Sequence, residues 1–173
     1  MRLQTIGYGR DLALFNLAID SKLRGCDLVR LRVSDVASGG EILSRATVRQ
    51  RKTKRPVRFE ITERTRKSTQ EWIEKAQMTE SDYLFPSRVR RSPHLSTRQY
   101  ARIVNDWVQA IGLDPSAYGT HSLRRTKATL IYRRTKNLRA VQLLLGHTNL
   151  DSTVLYLGIE IDDALEMSEQ IDV

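Results

Sequence analysis

The segment at residues 121–125 reads His121-Ser122-Leu123-Arg124-Arg125 and opens a helix predicted from about Ser122 to Arg134. His121 and Arg124 are three positions apart, so a helix would project their side chains on nearly the same face. An imidazole and a fixed guanidinium on one face can engage one phosphate together. A solvated helix face is the ordinary alternative, and the pair alone does not decide between the two interpretations.

The segment that follows combines a histidine at a turn with a later tyrosine. Asn137 is a credible N-cap for a helix whose apolar residues lie within 138–145 and which ends at Gly146. His147 follows at the turn, and Tyr156 stands nine residues later. A phenol, with a pKa of about 10, is a poor nucleophile at neutral pH unless cations or a base lie nearby. A capping histidine and a tyrosine with its ring in the core are the alternative interpretation.

An arginine stands at the end of an apolar pattern near the N-terminus. The stretch from Arg10 to Arg24 contains no proline and predicts a largely buried helix that Gly25 interrupts. Arg24 is costly to bury unless it is paired, and we expect Asp27 to pair with it and orient it toward an anionic ligand. A purely structural ion pair is equally consistent. Cys26 is expected to be a buried, inert thiol.

Positive charge is unevenly distributed along the chain. Lysine and arginine total 29 against 20 acidic residues, which gives a formal net charge of +9. Such an excess usually indicates a polyanionic partner, with nucleic acid as the first candidate, although solubility alone is the simpler explanation. Residues 45–58 contain no acid among their many cations. The predicted nucleic-acid contacts are Arg49, Arg51, Lys54, Arg55, Arg88, Arg90 and Arg91.

A β-hairpin is predicted within this basic segment. Residues 41–50 and 56–62 are short and rich in β-branched residues, and the basic stretch Arg51 to Arg55 joins them. In such a turn the flexible ammonium of Lys52 could reach into a DNA groove or donate a proton. Lys54 is its competitor, and a solvated turn is the alternative.

The remaining sequence is mainly helical. Residues Arg64 to Met78 predict one helix, and Ser96 with Gln99 forms a capping-box pattern at the start of another. The apolar residues of that second helix, including Trp107 and Ile111, step by three and four and therefore share one face. Trp107 is therefore predicted to lie in the core.

The composition also limits the environment of the protein. No apolar run approaches the ~20 residues of a membrane span, and a single cysteine permits no internal disulfide. A reducing, cytoplasmic location is therefore expected. Three histidines and one cysteine without close ligand spacing disfavour a zinc site, so no metal is expected.

Four stretches, taken in order, resemble the sequence boxes of tyrosine recombinase catalytic domains, the family of phage integrases, Cre and the Xer proteins. They are Ser21 to Leu28 for the first arginine box, Arg51-Lys52-Thr53 for the hairpin lysine, His121 to Arg125 for the H-x-L-R box, and Leu145-Gly146-His147 with Tyr156 for the closing box. The resemblance implies an α+β, mainly helical catalytic domain with a small antiparallel β-sheet. Two departures occur: Ser21-Lys22 replaces a Thr-Gly pair, and Asp27 replaces a glutamate.

The resemblance also implies a set of site residues. Tyr156 would attack the scissile phosphate to give a 3′-phosphotyrosyl link and a free 5′-hydroxyl, while Arg24 and Arg124 hold the non-bridging oxygens. The other implied roles are Lys52 as general acid, His121 as general base or proton relay, and His147 as a hydrogen-bond partner of the phosphate. Fixed guanidiniums stabilise the negative charge of the phosphorane where it develops. Because the phosphotyrosine stores the bond energy, no cofactor is expected.

The implied function is site-specific recombination or integration on double-stranded DNA by two to four cooperating subunits, in the cytoplasm and in association with the nucleoid. A type IB topoisomerase-like strand transferase shares this chemistry, but the spacing of Gly146-His147 and Tyr156 favours the recombinases. A catalytically silent DNA-binding regulator would not need the full set of reacting residues. The sequence does not favour an RNA-binding domain, because it lacks aromatic stacking motifs such as those of RNA-recognition sheets.

The chain is expected to be one catalytic domain over residues 1–173, without the N-terminal core-binding domain that family members generally carry. The tail after Tyr156 places Ile159, Ile161, Leu165 and Met167 among acids. Residues 160–173 of this tail suit docking on a neighbouring subunit. Folding back on its own domain is the alternative, and the sequence leaves both open.

Overall fold

The computed structural model describes residues 9–87 and 92–159, together with Leu165 and Glu169. Within these residues the helices are α1 (Gly9–Ser21), α2 (Gly25–Leu28), α3 (Val33–Val36), α4 (Glu63–Lys75), α5 (Thr97–Ala110), α6 (Thr120–Thr135), α7 (Leu138–Leu145) and α8 (Asp151–Leu157). The strands are β1 (Ala37–Ser38), β2 (Glu41–Ile42), β3 (Arg45–Arg49) and β4 (Pro56–Glu60). They form two antiparallel pairs. The predicted fold class, mainly helical α+β with a small antiparallel sheet, is confirmed. No helix in this described part of the chain is both long and apolar enough to cross a membrane.

Helix α1 packs along α4 and α6 and is the centre of the fold. The sequence predicted that it would continue to Arg24, but it ends at Ser21 because Lys22 adopts a left-handed backbone with a φ of 54°. The Lys22 ammonium donates a hydrogen bond to the carbonyl of Asp20 at 2.5 Å. Gly25, which was expected to interrupt the helix, is instead the first residue of α2, and Arg24 precedes it as the N-cap.

An ion network joins the end of α1 to β4 and α6. The Asp20 carboxylate accepts hydrogen bonds from Thr62 and Thr65 and lies 2.6 Å from the Lys127 ammonium. Lys127 is also 2.6 Å from Glu60. Burial raises the pKa of Asp20, but the hydrogen bonds from Lys127 and the two threonines outweigh burial and hold that pKa below its usual range. The network fixes α6 against α1.

The predicted hairpin forms between β3 and β4. Its register runs from Arg45 opposite Glu60 to Arg49 opposite Pro56, and residues 50–55 connect the strands. The first strand is shorter than predicted, because residues 41–42 pair with residues 37–38 in a separate small hairpin. Gly39 and Gly40, with φ values of 60° and 83°, form the tight turn of that second pair.

Helix ends follow the capping signals in the sequence. The Ser96 hydroxyl accepts a hydrogen bond from the Gln99 backbone at 3.1 Å, and Asn137 caps α7 in the same way, so both predicted N-caps are confirmed. Helix α7 ends at Gly146, whose φ is 64°. A Cβ at Gly146 would overlap Cγ2 of Val57. This position therefore needs glycine both for its backbone conformation and for space.

The apolar residues form two clusters. The larger one includes Leu14 and Phe59, and the smaller one packs α6, α7 and α8 together. Trp107, predicted to be in the core, is half-buried against the larger cluster. Ile111, which the apolar pattern groups with Trp107, is 59% exposed because α5 ends one residue earlier. The prediction of a buried Cys26 is wrong, because Cys26 lies in the first turn of α2 rather than inside α1 and is partly exposed.

Candidate active site

One open pocket, with a volume of about 350 Å³, gathers polar residues from distant parts of the chain. Its lining residues are Arg24, Lys52, Thr53, His121, Arg124, His147, Thr148, Ser152 and Tyr156. All the residues predicted as catalytic are therefore brought together. Within residues 9–87 and 92–159, no group of three His, Cys, Asp or Glu side chains is arranged to hold a metal ion.

Arg24 reaches the pocket from the start of α2. Its Nη1 atom donates a hydrogen bond to Oε1 of Gln50 at 2.7 Å. The predicted pairing with Asp27 is wrong, because α2 turns that carboxylate toward the hairpin, where Oδ1 accepts from the backbone N–H of Arg51 at 2.9 Å. A neutral amide thus holds the Arg24 guanidinium without cancelling its charge.

Arg124 lies buried in the second turn of α6. Its Nη2 atom donates to the carbonyl of Leu145 at 3.0 Å, and its guanidinium carbon lies 5.4 Å from the centre of the Tyr156 ring. Burial lowers the pKa of Arg124, but a guanidinium remains cationic at neutral pH. The buried Nε atom has no hydrogen-bond partner among the described residues. An anion entering the pocket would supply an acceptor for it.

His147 follows the helix stop at Gly146 and packs against Tyr156. The two ring centres are 5.3 Å apart in an edge-to-face arrangement. Nδ1 of His147 lies 3.1 Å from the hydroxyl of the buried Thr153. Burial, together with the charges of Arg124 and Arg24, lowers the pKa of His147 to about 4. The imidazole is therefore neutral at pH 7.

Tyr156 lies in α8, and its buried hydroxyl has no hydrogen-bond partner in the part of the chain that the structure describes. Burial raises the pKa of Tyr156 above its usual value, although the charges of Arg124, Arg125 and Arg24 act in the opposite direction. At neutral pH the phenol is protonated. A reaction at this oxygen therefore needs a base or relay that removes the proton.

Lys52 and His121 form the exposed rim of the pocket. Lys52 lies in the hairpin turn and His121 in the first turn of α6. Lys54, the competing lysine, is not among the residues that line the pocket. Its backbone carbonyl instead accepts a hydrogen bond from Nη1 of Arg49 at 2.6 Å. The structure therefore favours Lys52 as the lysine that can reach a bound ligand.

The predicted nucleic-acid contacts fall into two groups. Those of the hairpin, Arg49, Arg51, Lys54 and Arg55, are exposed in or beside the turn that carries Lys52. Those of the later loop, Arg88, Arg90 and Arg91, lie outside the described residues. The assignment of both groups stays a prediction.

The sequence interpretation missed Gln50, which does not line the pocket but hydrogen-bonds to Arg24. A usable signal was present, because alternate residues of a strand face one side and β3 places Ala46 inward, so the same side continues to Gln50. A fully buried amide at the end of such a strand must find hydrogen-bond partners. Thr53, Thr148 and Ser152 were also missed and carry no distinguishing pattern in the sequence.

Comparison with known proteins agrees with this arrangement. A family model described as "Phage integrase family" matches residues 3–160. "Probable integrase/recombinase YoeC" of Bacillus subtilis is 34% identical over 153 residues, which cover 88% of this chain and 80% of YoeC. A "Tyrosine recombinase" of Pseudothermotoga lettingae is 31% identical over 150 residues, covering 87% of this chain and 50% of that protein. The crystal structure of XerA recombinase matches with a TM-score of 0.76 and 26% identity over 96% of this chain and 59% of that one.

The fold is thus the catalytic-domain fold of the tyrosine recombinases. The chain belongs to the phage integrase family. It spans most of YoeC but about half of the length of the Pseudothermotoga relative.

Proposed function

We propose that this chain is a site-specific recombinase or integrase that cuts and rejoins double-stranded DNA through a 3′-phosphotyrosyl intermediate at Tyr156. The observation that carries the proposal is the pocket itself. A phenol with a buried, unpaired hydroxyl lies beside the guanidinium of Arg124, and Arg24 and His147 line the same space. Membership of the phage integrase family supports the same chemistry.

Cleavage is a transesterification in which the number of phosphodiester bonds is conserved. Oη of Tyr156 attacks the scissile phosphorus and loses its proton, the bond from phosphorus to the 5′-oxygen breaks, and that oxygen takes up a proton. Rejoining is the reverse reaction with a 5′-hydroxyl as the nucleophile. The energy of the broken bond is kept in the phosphotyrosine, so rejoining needs no nucleotide cofactor.

Two fixed cations would stabilise the phosphorane. Arg24, held by Gln50, and Arg124, held by the Leu145 carbonyl, are oriented before any ligand arrives. Preorganised donors of this kind are each worth ~3–4 kcal/mol when they meet charge that develops in the transition state. Loss of either arginine should therefore slow cleavage by orders of magnitude.

The proton transfers are assigned to three residues of the pocket. Lys52 would protonate the leaving 5′-oxygen from the hairpin turn, and His121 would act as general base or relay for Tyr156. The neutral His147 has Nδ1 engaged by Thr153, which leaves Nε2 for a hydrogen bond to a phosphate oxygen.

DNA and further subunits are the proposed partners. The exposed cations of the hairpin flank Lys52, which lines the pocket, and suit contacts to the phosphate backbone. The chain would act as one catalytic domain, with two to four copies on DNA, and residues 160–173 would dock on a neighbouring subunit. In the cell such an enzyme would be cytoplasmic and associated with the nucleoid when bound to DNA.

The alternatives are less well supported. A silent DNA-binding regulator gives no reason for a buried tyrosine hydroxyl without a partner beside two arginines. A type IB topoisomerase-like transferase would use the same groups, but the family match favours the recombinases.

Suicide substrates test the proposal directly. A pool of random-sequence duplexes, each nicked close to the 3′ side of a labelled segment, would release a short fragment on cleavage and trap the protein on DNA. We expect a labelled protein–DNA band that survives denaturing electrophoresis and maps to Tyr156 by mass spectrometry. A wild-type chain that binds the pool but never forms such a band would support the silent regulator instead.

A further inference from the structure

Gln50 is a fully buried polar residue at the end of β3 with three hydrogen-bond partners. Its Oε1 atom accepts from Nη1 of Arg24 at 2.7 Å and from the Thr53 hydroxyl at 2.8 Å. Its Nε2 atom donates to the carbonyl of Leu145 at 3.1 Å. The side chain thus touches the first arginine, the turn next to Lys52 and the residue before Gly146.

The orientation of the amide is fixed by the chemistry of its partners. A guanidinium can only donate hydrogen bonds, and a backbone carbonyl can only accept them. Rotating the amide by half a turn would place its NH₂ group against Arg24 and its oxygen against the Leu145 carbonyl. Both of those contacts would be repulsive, so one orientation is strongly preferred.

The Leu145 carbonyl joins the two arginines through this amide. It accepts from Nε2 of Gln50 and also from Nη2 of Arg124 at 3.0 Å. Arg24, Gln50, Leu145 and Arg124 therefore form one continuous chain of contacts. Gly146 packs tightly against this chain of contacts. A Cβ at that position would lie 3.1 Å from both polar atoms of the Gln50 amide.

We propose that Gln50 is a positioning residue for the cleavage reaction, which sets the Arg24 guanidinium and the Lys52 turn at fixed places relative to Arg124. The inference rests on the proposed function, since it concerns the same phosphate. Gln50 itself does not line the pocket, and it acts through the residues that it holds.

The physical reason is the freedom of the arginine side chain. Arg24 has several rotatable bonds, and none of the described carboxylates forms an ion pair with it. Without the amide its guanidinium can therefore adopt several rotamers. Misplacing a reacting group by about 1 Å costs roughly 100-fold in rate. The amide keeps the guanidinium in place without neutralising the charge that the phosphate requires, which a carboxylate in its place would do.

The test compares isosteric variants of two buried amides in the full chain. Gln50→Met removes all three hydrogen bonds at nearly constant volume. Asn16→Leu is the matched control, because Asn16 is also a buried amide, and its Nδ2 atom donates to the Ser68 hydroxyl at 2.9 Å. Sequences recovered from wild-type adducts in the random duplex pool then serve as the substrate for all variants.

Single-turnover adduct formation is measured at saturating protein, with duplex affinity followed separately by fluorescence anisotropy. We expect Gln50→Met to slow adduct formation roughly 100-fold with little change in duplex affinity, while Asn16→Leu loses stability but keeps its rate. Gln50→Asn stays polar but is too short to reach both Arg24 and the Leu145 carbonyl. Its rate of adduct formation is the test if Gln50→Met does not fold.

A double variant separates positioning from general damage. If Gln50 acts through Arg24, adding Gln50→Met to Arg24→Lys should slow the reaction much less than it slows the wild type. Full multiplication of the two defects would overturn the inference, as would a folded Gln50→Met with a wild-type rate or an equal slowing by Asn16→Leu. A wild-type chain without any adduct would be a failure of the proposed function and would appear before any variant is compared.

Discussion

The Nδ1 atom of His147 lies 3.1 Å from the hydroxyl oxygen of Thr153, and the same ring packs edge-to-face with Tyr156. Both contacts are with side chains of helix α8, while the charges of the two pocket arginines also act on the imidazole. Its pKa of about 4 follows from burial and from the charges of Arg124 and Arg24. A phosphate placed between those cations would offset their charge.

We therefore predict that the His147 ring titrates near pH 4 in the free protein and at a higher pH in the DNA-bound protein. The ring carbon–proton resonance, assigned by its loss in His147→Gln, measures both values. The unfolded chain takes up this proton first, near pH 6.5, so His147 destabilises the fold as the pH falls from about 6.5 to about 4. A free-protein midpoint at or above pH 6.5 would contradict the described environment.

Tyr156→Phe should eliminate the covalent adduct and preserve the fold and DNA affinity. The lost hydroxyl has no partner within residues 9–87 and 92–159, so thermal stability should be unchanged or slightly higher. Tyr132→Phe is the control, because Tyr132 is a buried tyrosine of the cluster that packs against Tyr156. Adduct formation should persist in the control, whereas an adduct formed by Tyr156→Phe would place the nucleophile elsewhere.

Lys52→Ala should be slow on normal DNA and substantially rescued on DNA with a 5′-bridging phosphorothiolate, because a sulfur leaving group needs no proton. Lys54→Ala serves as the matched control, since it removes the same charge from the same turn but not from the pocket lining. The rate of adduct formation on the two substrates is the measurement. If Lys52→Ala is equally slow on both substrates, Lys52 contacts a phosphate and does not donate the proton.

Gly146→Ala should destabilise the fold more than Gly158→Ala. Both glycines are left-handed, with φ values of 64° and 65°, so both alanines carry a backbone cost of about 1–2 kcal/mol. Only Gly146 faces Val57 and Gln50, whereas the space at Gly158 is open. The extra cost of overpacking is typically about 1–3 kcal/mol. Urea unfolding of both variants measures the difference, and equal losses would mean that Val57 moves aside freely.

Local signals in the sequence predicted the helix ends and the members of the pocket, but not how those members are held. Ser96 and Asn137 predict the starts of their helices because each side chain accepts a hydrogen bond from a backbone N–H only three residues later. The partner of Arg24 lies 26 positions away, and no spacing rule identifies it. Asp27 was the reasonable choice by proximity, yet the early end of α1 turns it toward the hairpin backbone.

The departure from the family at Ser21-Lys22 has a structural explanation. The second residue of the usual Thr-Gly pair corresponds to Lys22, whose left-handed backbone suits glycine. A lysine at such a φ carries a cost of about 1–2 kcal/mol. Its fully buried ammonium contacts the Asp20 carbonyl and lies 3.5 Å from Glu60, which offsets part of that cost. No pattern in the sequence indicates that this lysine is buried.

The ion network at the end of α1 affects which charges of the protein attract a polyanion at long range. Lys22 and Lys127 face Asp20 and Glu60, so the formal charges of these four groups cancel. The net charge of +9 is consequently carried by other side chains. Charges at the surface act over a screening length of about 8 Å at physiological salt. They therefore attract and orient a polyanion before it makes contact with the protein. The rate of first encounter, more than the lifetime of the complex, should therefore respond to ionic strength.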